Sequence, residues 1–435
     1  MDGRELRRTC FLVHDDGHRG QLTPERLRQL RDRLVQGELE WVDPIRDFHV
    51  HIVAETADTR RMSDAIEMTG AVFMGPREGL SIERLWLDPP AAGEVLVRMV
   101  ASGVCHSDLH VVDGDWVRPT NVVLGHEGAG IVEALGPDVG DLAIGDLVVL
   151  AWTAPCGTCP ACTRAEPWLC AAPRGGGHRL DAAKVRVHRA DGSPVGVYGG
   201  VGTHATHQVV DAAAAIRVDP RTPHDVAALL GCAATTGVGA VRNTAGVRAG
   251  ESVVVIGLGG VGLSALMAAV DAGAAPVVAI DTQPAKLDLA HQLGAISGLD
   301  PTDAAAVTAE VRLLTDGGAD HVLECIGLTS TVELAVDLAR PGGTITLVGM
   351  TGQADRARID VYRFVEDGKR MLGSNYGSLV PGRDIPRMAL DAVEGRLPLG
   401  RLVTEHIPLT AIDGALESMR YRDGARRVIT FEEQT

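Results

Sequence analysis

Aromatic side chains, positive charge and long apolar runs are all scarce in this sequence. Phe, Trp and Tyr together make up 3% of its 435 residues. Acidic residues outnumber basic ones by 57 to 41, and the resulting formal net charge of -16 would repel nucleic acid and anionic lipid. No apolar run approaches the roughly 20 residues that a membrane-spanning helix needs. We therefore expect neither nucleic acid nor a membrane as a partner, which leaves a small molecule as the expected ligand.

A secretory signal is missing as well. Residues 1–20 are charged and lack the apolar core that such a signal contains. We therefore expect a cytoplasmic protein, in which the eight cysteines are metal ligands or free thiols rather than disulfides. Glycine, in contrast, is plentiful at 52 residues, which suits a fold with many tight turns and close backbone approaches.

The length of the chain and the changes in its character predict two domains with an appendage. Residues 1–68 are rich in Arg, Asp and His, and within them we expect a helix from Thr23 to Gly37 and a strand over residues 48–52. Residues 69–233 contain short β-like runs broken by Gly, Pro and Asp, which are typical of a mainly β domain.

Residues 234–375 have a different pattern, in which apolar strands alternate with Ala- and Leu-rich helical stretches. This alternation predicts a doubly wound parallel sheet with helices on both faces, and hence the α/β class. The closing segment, residues 376–435, returns to mixed character and is expected to pack back on the β domain. The strands predicted in the two domains cover residues 94–100, 129–135, 146–151, 252–256, 277–280, 321–325 and 344–348.

A glycine-rich turn follows the first strand of the predicted parallel sheet and opens a helix expected over residues 263–272. The turn consists of Gly257, Leu258, Gly259, Gly260, Val261 and Gly262. The first glycine permits the tight turn, the second lets a pyrophosphate approach the backbone, and the third lets helix and strand pack closely. The free N–H groups at the start of the helix would bind the phosphates. The pattern predicts a dinucleotide site, with a purely structural glycine turn as the alternative.

The acid at the end of the next strand indicates which dinucleotide binds. Asp281 follows Gly262 by nineteen residues, and a carboxylate at this position accepts hydrogen bonds from the ribose hydroxyls and repels a 2′-phosphate. The sequence therefore favours NAD(H), unless Asp281 only caps the end of the strand. Lys286 lies within reach of the same adenosine end.

Four cysteines stand close together in the first domain, at Cys156, Cys159, Cys162 and Cys170. Four thiolates on one loop can complete a tetrahedral shell around zinc with no open position, so the predicted site is structural. An iron–sulfur cluster is one alternative, but the spacing of the fourth cysteine does not match ferredoxin-type runs and no proline follows it. Free thiols are the other alternative.

A second candidate metal site is dispersed along the chain. Cys105, His126 and Cys232 each lie in a glycine-containing stretch. Two thiolates and one imidazole leave the fourth tetrahedral position open, as in catalytic zinc sites. A single cysteine or histidine is more often a small buried hydrophobe or a satisfied polar residue, and the spacing alone leaves both interpretations open.

From residue 69 to the end, the chain resembles the zinc-dependent medium-chain alcohol dehydrogenases, of the type with a long loop and two zinc sites. The matching stretches are residues 103–108, 125–128, the four-cysteine segment, 231–237, 257–262 and Asp281. The resemblance implies a mainly β GroES-like catalytic domain and a Rossmann domain. It also implies hydride transfer between NAD(H) and an alcohol or aldehyde, with two Zn²⁺ per chain.

The resemblance assigns the metal-site residues first. Cys105, His126 and Cys232 would bind a catalytic zinc, and the four clustered cysteines a structural one. Glu127 would be the nearby acid that approaches the metal during ligand exchange. Asp108 would hydrogen-bond the His126 ring.

The resemblance also assigns residues to proton transfer and cofactor binding. Ser107 would hydrogen-bond the substrate oxygen, and His110 would pass the proton to solvent. Thr236 would pack on the nicotinamide, while His106 and Arg426 would hold the pyrophosphate. Many relatives carry Arg at position 106, and His is a weaker, pH-dependent phosphate ligand. We therefore expect looser, pH-dependent cofactor binding.

Two tryptophans are the candidates for the substrate pocket. Trp116 and Trp152 would narrow the space beside the metal and favour flat or aromatic alcohols, although ordinary core packing explains them equally well. Tyr376 is expected near the cleft, where the chain leaves the nucleotide domain.

Several alternatives stay open. A thiol-adduct dehydrogenase, acting on the hydroxymethyl adduct of formaldehyde, is permitted by the long segment after Cys170. A non-catalytic binding protein of the same fold is opposed by the complete set of site residues. The extension lies outside the resemblance, and we expect His14, His18, His49 and His51 to be solvated rather than to form a third metal site. By resemblance alone, we expect a homodimer.

Overall fold

The structure, a computed structural model, describes residues 10–13, 19–22, 65–170, 185–421 and 424–431. The chain divides into two units, residues 1–63 and 64–435. In the first unit, strands β1 (Cys10–Val13) and β2 (Arg19–Leu22) pair antiparallel. The helix predicted from Thr23, the strand predicted over residues 48–52, and His14, His18, His49 and His51 lie outside the described residues.

The second unit contains the remaining described strands and helices. Its strands are β3 (Ile66–Phe73), β4 (Leu80–Leu87), β5 (Glu94–Gly103), β6 (Val122–Val123), β7 (Gly128–Leu135), β8 (Leu147–Leu150), β9 (Val187–His188), β10 (Pro194–Val197), β11 (His207–Asp211), β12 (Ala215–Arg217), β13 (Val253–Ile256), β14 (Val277–Ile280), β15 (Ser297–Leu299), β16 (Ala319–Glu324), β17 (Ala339–Leu347), β18 (Arg370–Gly373), β19 (Val403–Ile407) and β20 (Arg426–Thr430). Its α-helices are α1 (His106–Asp113), α2 (Pro160–Thr163), α3 (His224–Leu229), α4 (Ala233–Gly239), α5 (Gly260–Asp271), α6 (Pro284–Gln292), α7 (Ala304–Leu314), α8 (Thr329–Leu338), α9 (Val361–Glu366), α10 (Pro381–Val393) and α11 (Ile412–Arg420). Single 3-10 turns occur at Pro167–Leu169, Tyr198–Gly200, Ala212–Ala214, Tyr376–Ser378, Leu399–Leu402 and Leu409–Ala411, and a π-helical stretch at Ala240–Ala245.

The first domain combines a small barrel with an open sheet. Strands β10, β6, β3, β4 and β9 close the barrel, and the sheet has the order β12-β8-β7-β5-β20-β19, with β11 also paired to β5. The sequence predicted the central strands β5, β7 and β8 to within three residues. The barrel begins at Ile66 rather than at residue 69, because Met68 is 2% exposed and belongs to the same buried cluster as Leu85 and Leu87.

The nucleotide domain is built on a parallel sheet. Within the described residues its strands follow the order β15-β14-β13-β16-β17-β18, which in the domain's own numbering is 3-2-1-4-5-6, the order of dinucleotide-binding folds. Alternate residues of β13 belong to two different buried hydrophobic clusters. Val253 and Val255 pack in one cluster, and Val254 and Ile256 pack in the other. Both faces of the strand are therefore covered, which explains why it is continuously apolar.

The closing segment returns to the first domain, as the sequence predicted. Strand β20 pairs antiparallel with β5, placing Val428 opposite Gly103, and β19 lies beside β20. This pairing brings Arg426 next to Val104, whose carbonyl oxygen accepts a hydrogen bond from Arg426 Nη1 at 2.7 Å. The sheet thus joins the start and the end of the second unit beside the glycine-rich turn.

Candidate metal centre and cofactor cleft

A cleft of about 600 Å³ is lined by residues of both domains of the second unit. It brings together most of the residues that the sequence and the resemblance singled out. Those in its lining are Cys105, His106, Ser107, His110, Trp116, His126, Trp152, Cys170, Cys232, Thr236, Gly257, Gly259, Gly260, Val261, Asp281, Lys286 and Arg426. Asp108, Glu127 and Gly262 are not in the lining and support it from behind.

The three dispersed ligand candidates converge in this cleft. One ligand atom from each of Cys105, His126 and Cys232 lies within 4.8 Å of the others, and the three residues are at most 8% exposed. Cys105 immediately precedes α1 and Cys232 immediately precedes α4, whereas His126 lies between β6 and β7. Two sulfur donors and one nitrogen donor at this spacing fit a tetrahedral zinc ion with one position left for another ligand.

The charges of the three residues fit a cation as well. The hydrogen bond with Cys232, together with Arg426 and His126, lowers the pKa of the Cys105 thiol well below its ordinary value, although burial opposes this. Burial alone would lower the pKa of His126, but Asp108 and the two cysteines raise it well above the usual value. The site therefore concentrates negative charge, which a divalent metal ion would neutralise in place of protons.

Asp108 fixes the His126 ring. Its side chain is fully buried, and its Oδ1 lies 3.1 Å from His126 Nδ1. With Nδ1 engaged, Nε2 is the ring atom left for a metal. Although burial by itself would raise the pKa of Asp108, the nearby His126 and His204 lower it well below its ordinary range. Asp108 is therefore a carboxylate that orients the ring.

Glu127 and Arg426 form a second buried pair behind the metal centre. Glu127 Oε1 lies 3.4 Å from Arg426 Nε, and Glu127 Oε2 accepts a hydrogen bond from the Ala233 N–H at 3.3 Å. Burial raises the pKa of Glu127 to about 7 in spite of the Arg426 charge. A Cβ atom built on Gly260 would lie 2.7 Å from Arg426 Nη2. The guanidinium therefore links the metal centre to the glycine-rich turn.

The glycine-rich turn has the shape that the sequence predicted. Gly257 has φ = 90°, and a Cβ atom on Gly262 would lie 1.7 Å from the Gly257 carbonyl oxygen. Only glycine fits either position. Helix α5 starts at Gly260, within the turn, so its free N–H groups face the cleft.

Asp281 holds the turn from the next strand. Its Oδ2 accepts a hydrogen bond from the Leu258 N–H at 2.7 Å, and its Oδ1 accepts one from the Gln283 N–H at 2.9 Å. Asp281 and Lys286 both line the cleft. A carboxylate oxygen can accept more than one hydrogen bond, so these contacts leave room for a ribose.

The first residues of α1 carry the relay candidates. Ser107 and His110 are three residues apart, so they lie on the same face of the helix. His110 Nδ1 lies 2.9 Å from Asp115 Oδ2. The His106 ring centre lies 5.1 Å from that of His110, and the Trp116 ring stacks on His110 at 4.8 Å. The helix thus presents a serine and a held imidazole to the same cleft.

The four clustered cysteines also form a possible metal site. Their sulfur atoms lie within 4.8 Å of one another. The Cys159 N–H donates to Cys156 Sγ, and the Cys156 N–H donates to Cys170 Sγ, both at 3.3 Å. Four thiolates with backbone N–H donors, the ligand group found among the described residues, match a closed tetrahedral zinc shell.

Comparisons with known proteins agree with this geometry. Residues 91–220 match the alcohol dehydrogenase GroES-like domain, and residues 260–394 match the zinc-binding dehydrogenase domain. The S-(hydroxymethyl)glutathione dehydrogenase of Haemophilus influenzae is 35% identical over 382 residues, covering 86% of this chain and 100% of that relative. The chain belongs to the zinc-dependent medium-chain alcohol dehydrogenases.

Solved structures of this dehydrogenase family superpose closely on the chain. An alcohol dehydrogenase zinc-binding domain protein from Burkholderia ambifaria has a TM-score of 0.81 and 35% identity, covering 85% of this chain and 100% of its own. The benzyl alcohol dehydrogenase of Acinetobacter calcoaceticus has a TM-score of 0.78 and 32% identity, covering 84% and 100%. These matches confirm the predicted family, the GroES-like plus Rossmann fold and a zinc- and NAD-dependent dehydrogenase activity.

Several aromatic side chains line the cleft. Trp116 and Trp152, the two residues predicted for a substrate pocket, are among them. The Trp152 ring centre lies 4.3 Å from that of Tyr376, whose hydroxyl donates to the Gly231 carbonyl oxygen at 2.7 Å. These contacts connect Trp152, through Tyr376, to the residue that precedes Cys232.

Sequence reasoning missed other residues in the same lining. They include Arg118, Trp168, Tyr198, Cys325, Met350 and Met419. Trp168 lies two residues before Cys170. Its position in the cysteine segment could therefore have indicated that it lies near the cleft. Tyr198 and Met350 lie in stretches without a motif, and only the fold brings them to the cleft. In the parts of the chain that the structure describes, no helix is long and apolar enough to cross a membrane.

Proposed function

We propose that this dehydrogenase interconverts a primary aromatic alcohol and its aldehyde at the centre formed by Cys105, His126 and Cys232. The observation that carries the proposal is their convergence, within 4.8 Å, in a cleft that also contains the glycine-rich turn and the relay residues. A substrate oxygen at the open metal position would therefore face both the cofactor site and a path for its proton.

Zinc, when bound by these residues, supplies a Lewis acid that makes an alcohol hydroxyl easier to deprotonate. Ser107 accepts the proton from the substrate hydroxyl and donates its own to His110, whose ring Asp115 holds through Nδ1. Asp108 keeps the His126 ring in its ligand orientation. Glu127, paired with Arg426, lies behind the centre as a buried acid that can replace a ligand during exchange.

The cofactor residues keep the assignments that the sequence and the resemblance gave them. Gly257, Gly259, Gly260, Val261 and Gly262 accommodate the pyrophosphate, with His106 and Arg426 as its cationic partners. Asp281 and Lys286 face the adenosine ribose, and Thr236 contacts the nicotinamide. All of them except Gly262 line the cleft, which supports these roles.

The aromatic lining favours a flat substrate. Trp116, Trp152, Trp168, Tyr198 and Tyr376 all line the cleft, although aromatic residues make up only 3% of the chain. Aromatic walls bind flat rings through stacking and edge contacts. The similarity to a structure described as a benzyl alcohol dehydrogenase points in the same direction.

A thiol-adduct activity is the second candidate. Relatives from Haemophilus influenzae and Photobacterium damsela, 35% and 36% identical, are named S-(hydroxymethyl)glutathione dehydrogenases. Such a substrate presents a hydroxymethyl group to the same centre. The two candidate activities share the same hydride-transfer chemistry. They differ only in the part of the substrate, an aromatic ring or a glutathione moiety, that the pocket must bind.

The experiment is NAD⁺ reduction by the zinc-replete enzyme, with benzyl alcohol, an aliphatic alcohol and a mixture of glutathione and formaldehyde as substrates. We expect two zinc ions per chain and the highest kcat/KM for the benzylic alcohol. A higher kcat/KM for the glutathione adduct would replace the first candidate by the second. If the enzyme contained two zinc ions but turned over neither the benzylic alcohol nor the glutathione adduct, both candidate functions would be contradicted.

We also propose that the enzyme is a homodimer. Within the described part of the chain, strand β18 (Arg370–Gly373) lies at the edge of the parallel sheet, and its backbone groups pair with a strand on one side only. The nearby helix α9 has Val361, Tyr362 and Val365 at least 69% exposed. Light scattering should give twice the chain mass, and Tyr362→Glu should shift the enzyme towards the monomer. The cytoplasmic location stays a prediction from the sequence.

A further inference from the structure

Arg118 places a positive charge at the substrate end of the cleft. Its guanidinium carbon lies 5.6 Å from the centre of the Trp116 ring, and the guanidinium also interacts with the Tyr198 side chain. The Tyr198 ring centre lies 5.8 Å from that of the ligand candidate His126. One aromatic side chain therefore separates the guanidinium from the metal centre.

Arg118 has no acidic partner in the part of the chain that the structure describes. Its hydrogen bond to the protein backbone runs from Nη1 to the Val117 carbonyl oxygen at 2.9 Å. The nearby acids are engaged elsewhere, Asp115 with His110 and Asp113 with Arg420. A guanidinium has five N–H donors, so Arg118 keeps donors for a ligand. The Trp116 ring holds the guanidinium by a cation–π contact, and because Arg118 is half-exposed, its charge stays accessible to an anionic ligand.

The cofactor phosphates do not explain this charge. Their site is the glycine-rich turn, where Arg426 lies against Gly260 and where helix α5 begins. Arg118 instead follows α1 in the first domain and contacts the two aromatic side chains of the substrate end. The anion that it would bind therefore belongs to the substrate.

We propose that Arg118 binds a carboxylate of the substrate, so that the preferred alcohol is anionic at the end away from its hydroxyl. The inference rests on the proposed function and deepens it. A carboxylated benzylic alcohol has this chemistry, and so does the hydroxymethyl adduct of glutathione. The planar guanidinium can hold either carboxylate through two parallel hydrogen bonds.

The test compares 4-(hydroxymethyl)benzoate with its methyl ester, which has a similar shape and no charge, and adds S-(hydroxymethyl)glutathione as a third substrate. Wild type should prefer the acid over the ester by about 10- to 100-fold in kcat/KM, as expected for a hydrogen-bonded charge. Arg118→Gln should remove most of this ratio. Arg312→Gln, on the outer helix α7, makes the same charge change and should keep it.

The proposal would be overturned if wild type had equal kcat/KM for the acid and the ester. It would also be overturned if Arg118→Gln kept the preference for the acid. Preference for the glutathione adduct over both, lost in Arg118→Gln, would support it and identify the thiol adduct as the anion. If no alcohol is turned over, the proposed function fails, and calorimetry with 4-carboxybenzaldehyde then decides the role of Arg118. If Arg118→Gln binds 4-carboxybenzaldehyde about tenfold more weakly than wild type, the result supports that role. Equal affinity would contradict it.

A second observation concerns the far side of Asp108. Asp108 Oδ2 accepts a hydrogen bond from the Cys105 N–H at 3.1 Å and lies 3.4 Å from His204 Nε2. His204 is fully buried, and its Nδ1 lies 3.0 Å from Ser102 Oγ. Ser102 Oγ in turn donates to the Glu127 carbonyl oxygen at 3.2 Å. Asp108 thus lies between two imidazoles, of which only His126 is a ligand candidate.

We infer that His204 is a positioning residue for the catalytic metal. It is not in the cleft lining, but its ring lies against the carboxylate that orients His126. Loss of such an outer partner typically weakens metal binding. The inference predicts an effect on zinc retention as well as on turnover.

Zinc release to a chromophoric chelator measures this directly. His204→Phe should release the catalytic zinc about tenfold faster than wild type, whereas His204→Gln, which keeps a donor, should stay close to wild type. The four-cysteine zinc is the internal control, because His204 does not contact it. If His204→Phe does not fold, Ser102→Ala, which frees the other ring nitrogen, should accelerate release in the same direction. If zinc release stays at the wild-type rate in His204→Phe, or in Ser102→Ala where His204→Phe does not fold, the inference is overturned.

Discussion

The proposed four-cysteine site and the proposed catalytic site of this dehydrogenase use the same kind of ligand in different ways. The first takes four cysteines from residues 156–170 of one loop, and Cys156 is exposed. The second takes Cys105, His126 and Cys232 from three distant parts of the chain, all buried. The local site can form within its own segment, whereas the dispersed site exists only once the first domain has folded.

The surroundings of the two sites differ as much as their construction. The catalytic ligands have buried charged neighbours, Asp108 behind His126 and the Glu127–Arg426 pair behind the thiols. The clustered sulfurs accept hydrogen bonds from groups of their own segment, among them the N–H groups of Cys156 and Cys159. This difference supports the proposal that the buried site is catalytic and that the four-cysteine site stabilises its loop.

The largest effect is expected from removing a catalytic ligand. Cys232→Ser should lower kcat by about 1000-fold or more, because the substrate oxygen loses its Lewis acid, and zinc content should fall from two ions to one. NAD⁺ binding and the thermal midpoint should change little. The matched control is Cys325→Ser, which alters another cysteine in the cleft lining but outside the ligand group. Full turnover by a zinc-analysed Cys232→Ser enzyme would remove this residue from the metal centre.

The next effect is expected from the proton relay. Ser107→Ala should lower kcat by about 100-fold, because proton transfer then lacks its first group, while both zinc ions remain. Steady-state kinetics with metal analysis checks this. Ser193→Ala, in the loop between β9 and β10, should behave like wild type. Loss of zinc in Ser107→Ala would mean that the serine supports the metal centre rather than the proton path.

A smaller effect on activity, and a larger one on stability, is expected at the clustered site. Cys159→Ser should remove one zinc ion and lower the thermal midpoint by about 5–10 °C. Because the catalytic ligands are untouched, kcat should stay within about tenfold of wild type. Calorimetry and kinetics on the same preparation test both parts. A loss of turnover as large as that of Cys232→Ser would show that the two sites are not independent.

The smallest effect is expected from alkylation of the clustered cysteines in the zinc-free protein. Hydrogen bonds from the Thr158 and Cys159 N–H groups help to lower the pKa of Cys156 to about 6, whereas desolvation raises that of Cys162 to about 12. Since the thiolate is the reactive form, iodoacetamide should modify Cys156 first. Its rate should rise through pH 6 and level off above it. Peptide mass spectrometry would contradict this if Cys162 reacted first, and bound zinc should protect both.

The sequence predicted features that depend on nearby residues. The four-cysteine spacing, the glycine-rich turn and the strands β13 and β14 each follow from a short stretch, and the structure has them where they were expected. The Cys105, His126 and Cys232 site needed the family resemblance, because spacing over more than a hundred residues carries little geometric information.

Other features could not be predicted, because the topology creates them. Tyr376 meets the Gly231 carbonyl oxygen across 145 residues, and His204 reaches Ser102 across 102. Neither residue lies in a motif, and each gains its role from a partner that only the folded sheet supplies. The early start of β3 has a similar cause, since Met68 is buried by strands that follow it.

The pairing of β20 with β5 also sets an order of events during synthesis. Arg426 reaches the Val104 carbonyl oxygen across 322 residues of chain, so β5 leaves the ribosome long before its neighbour exists. The nucleotide domain, whose strands and helices follow one another in sequence, can fold first. Until β20 arrives, the Arg426 guanidinium is not beside Glu127, and residues 101–103 of β5 lack the strand that pairs with them on one edge. The reactive centre is therefore completed last, when almost all of the chain has been made.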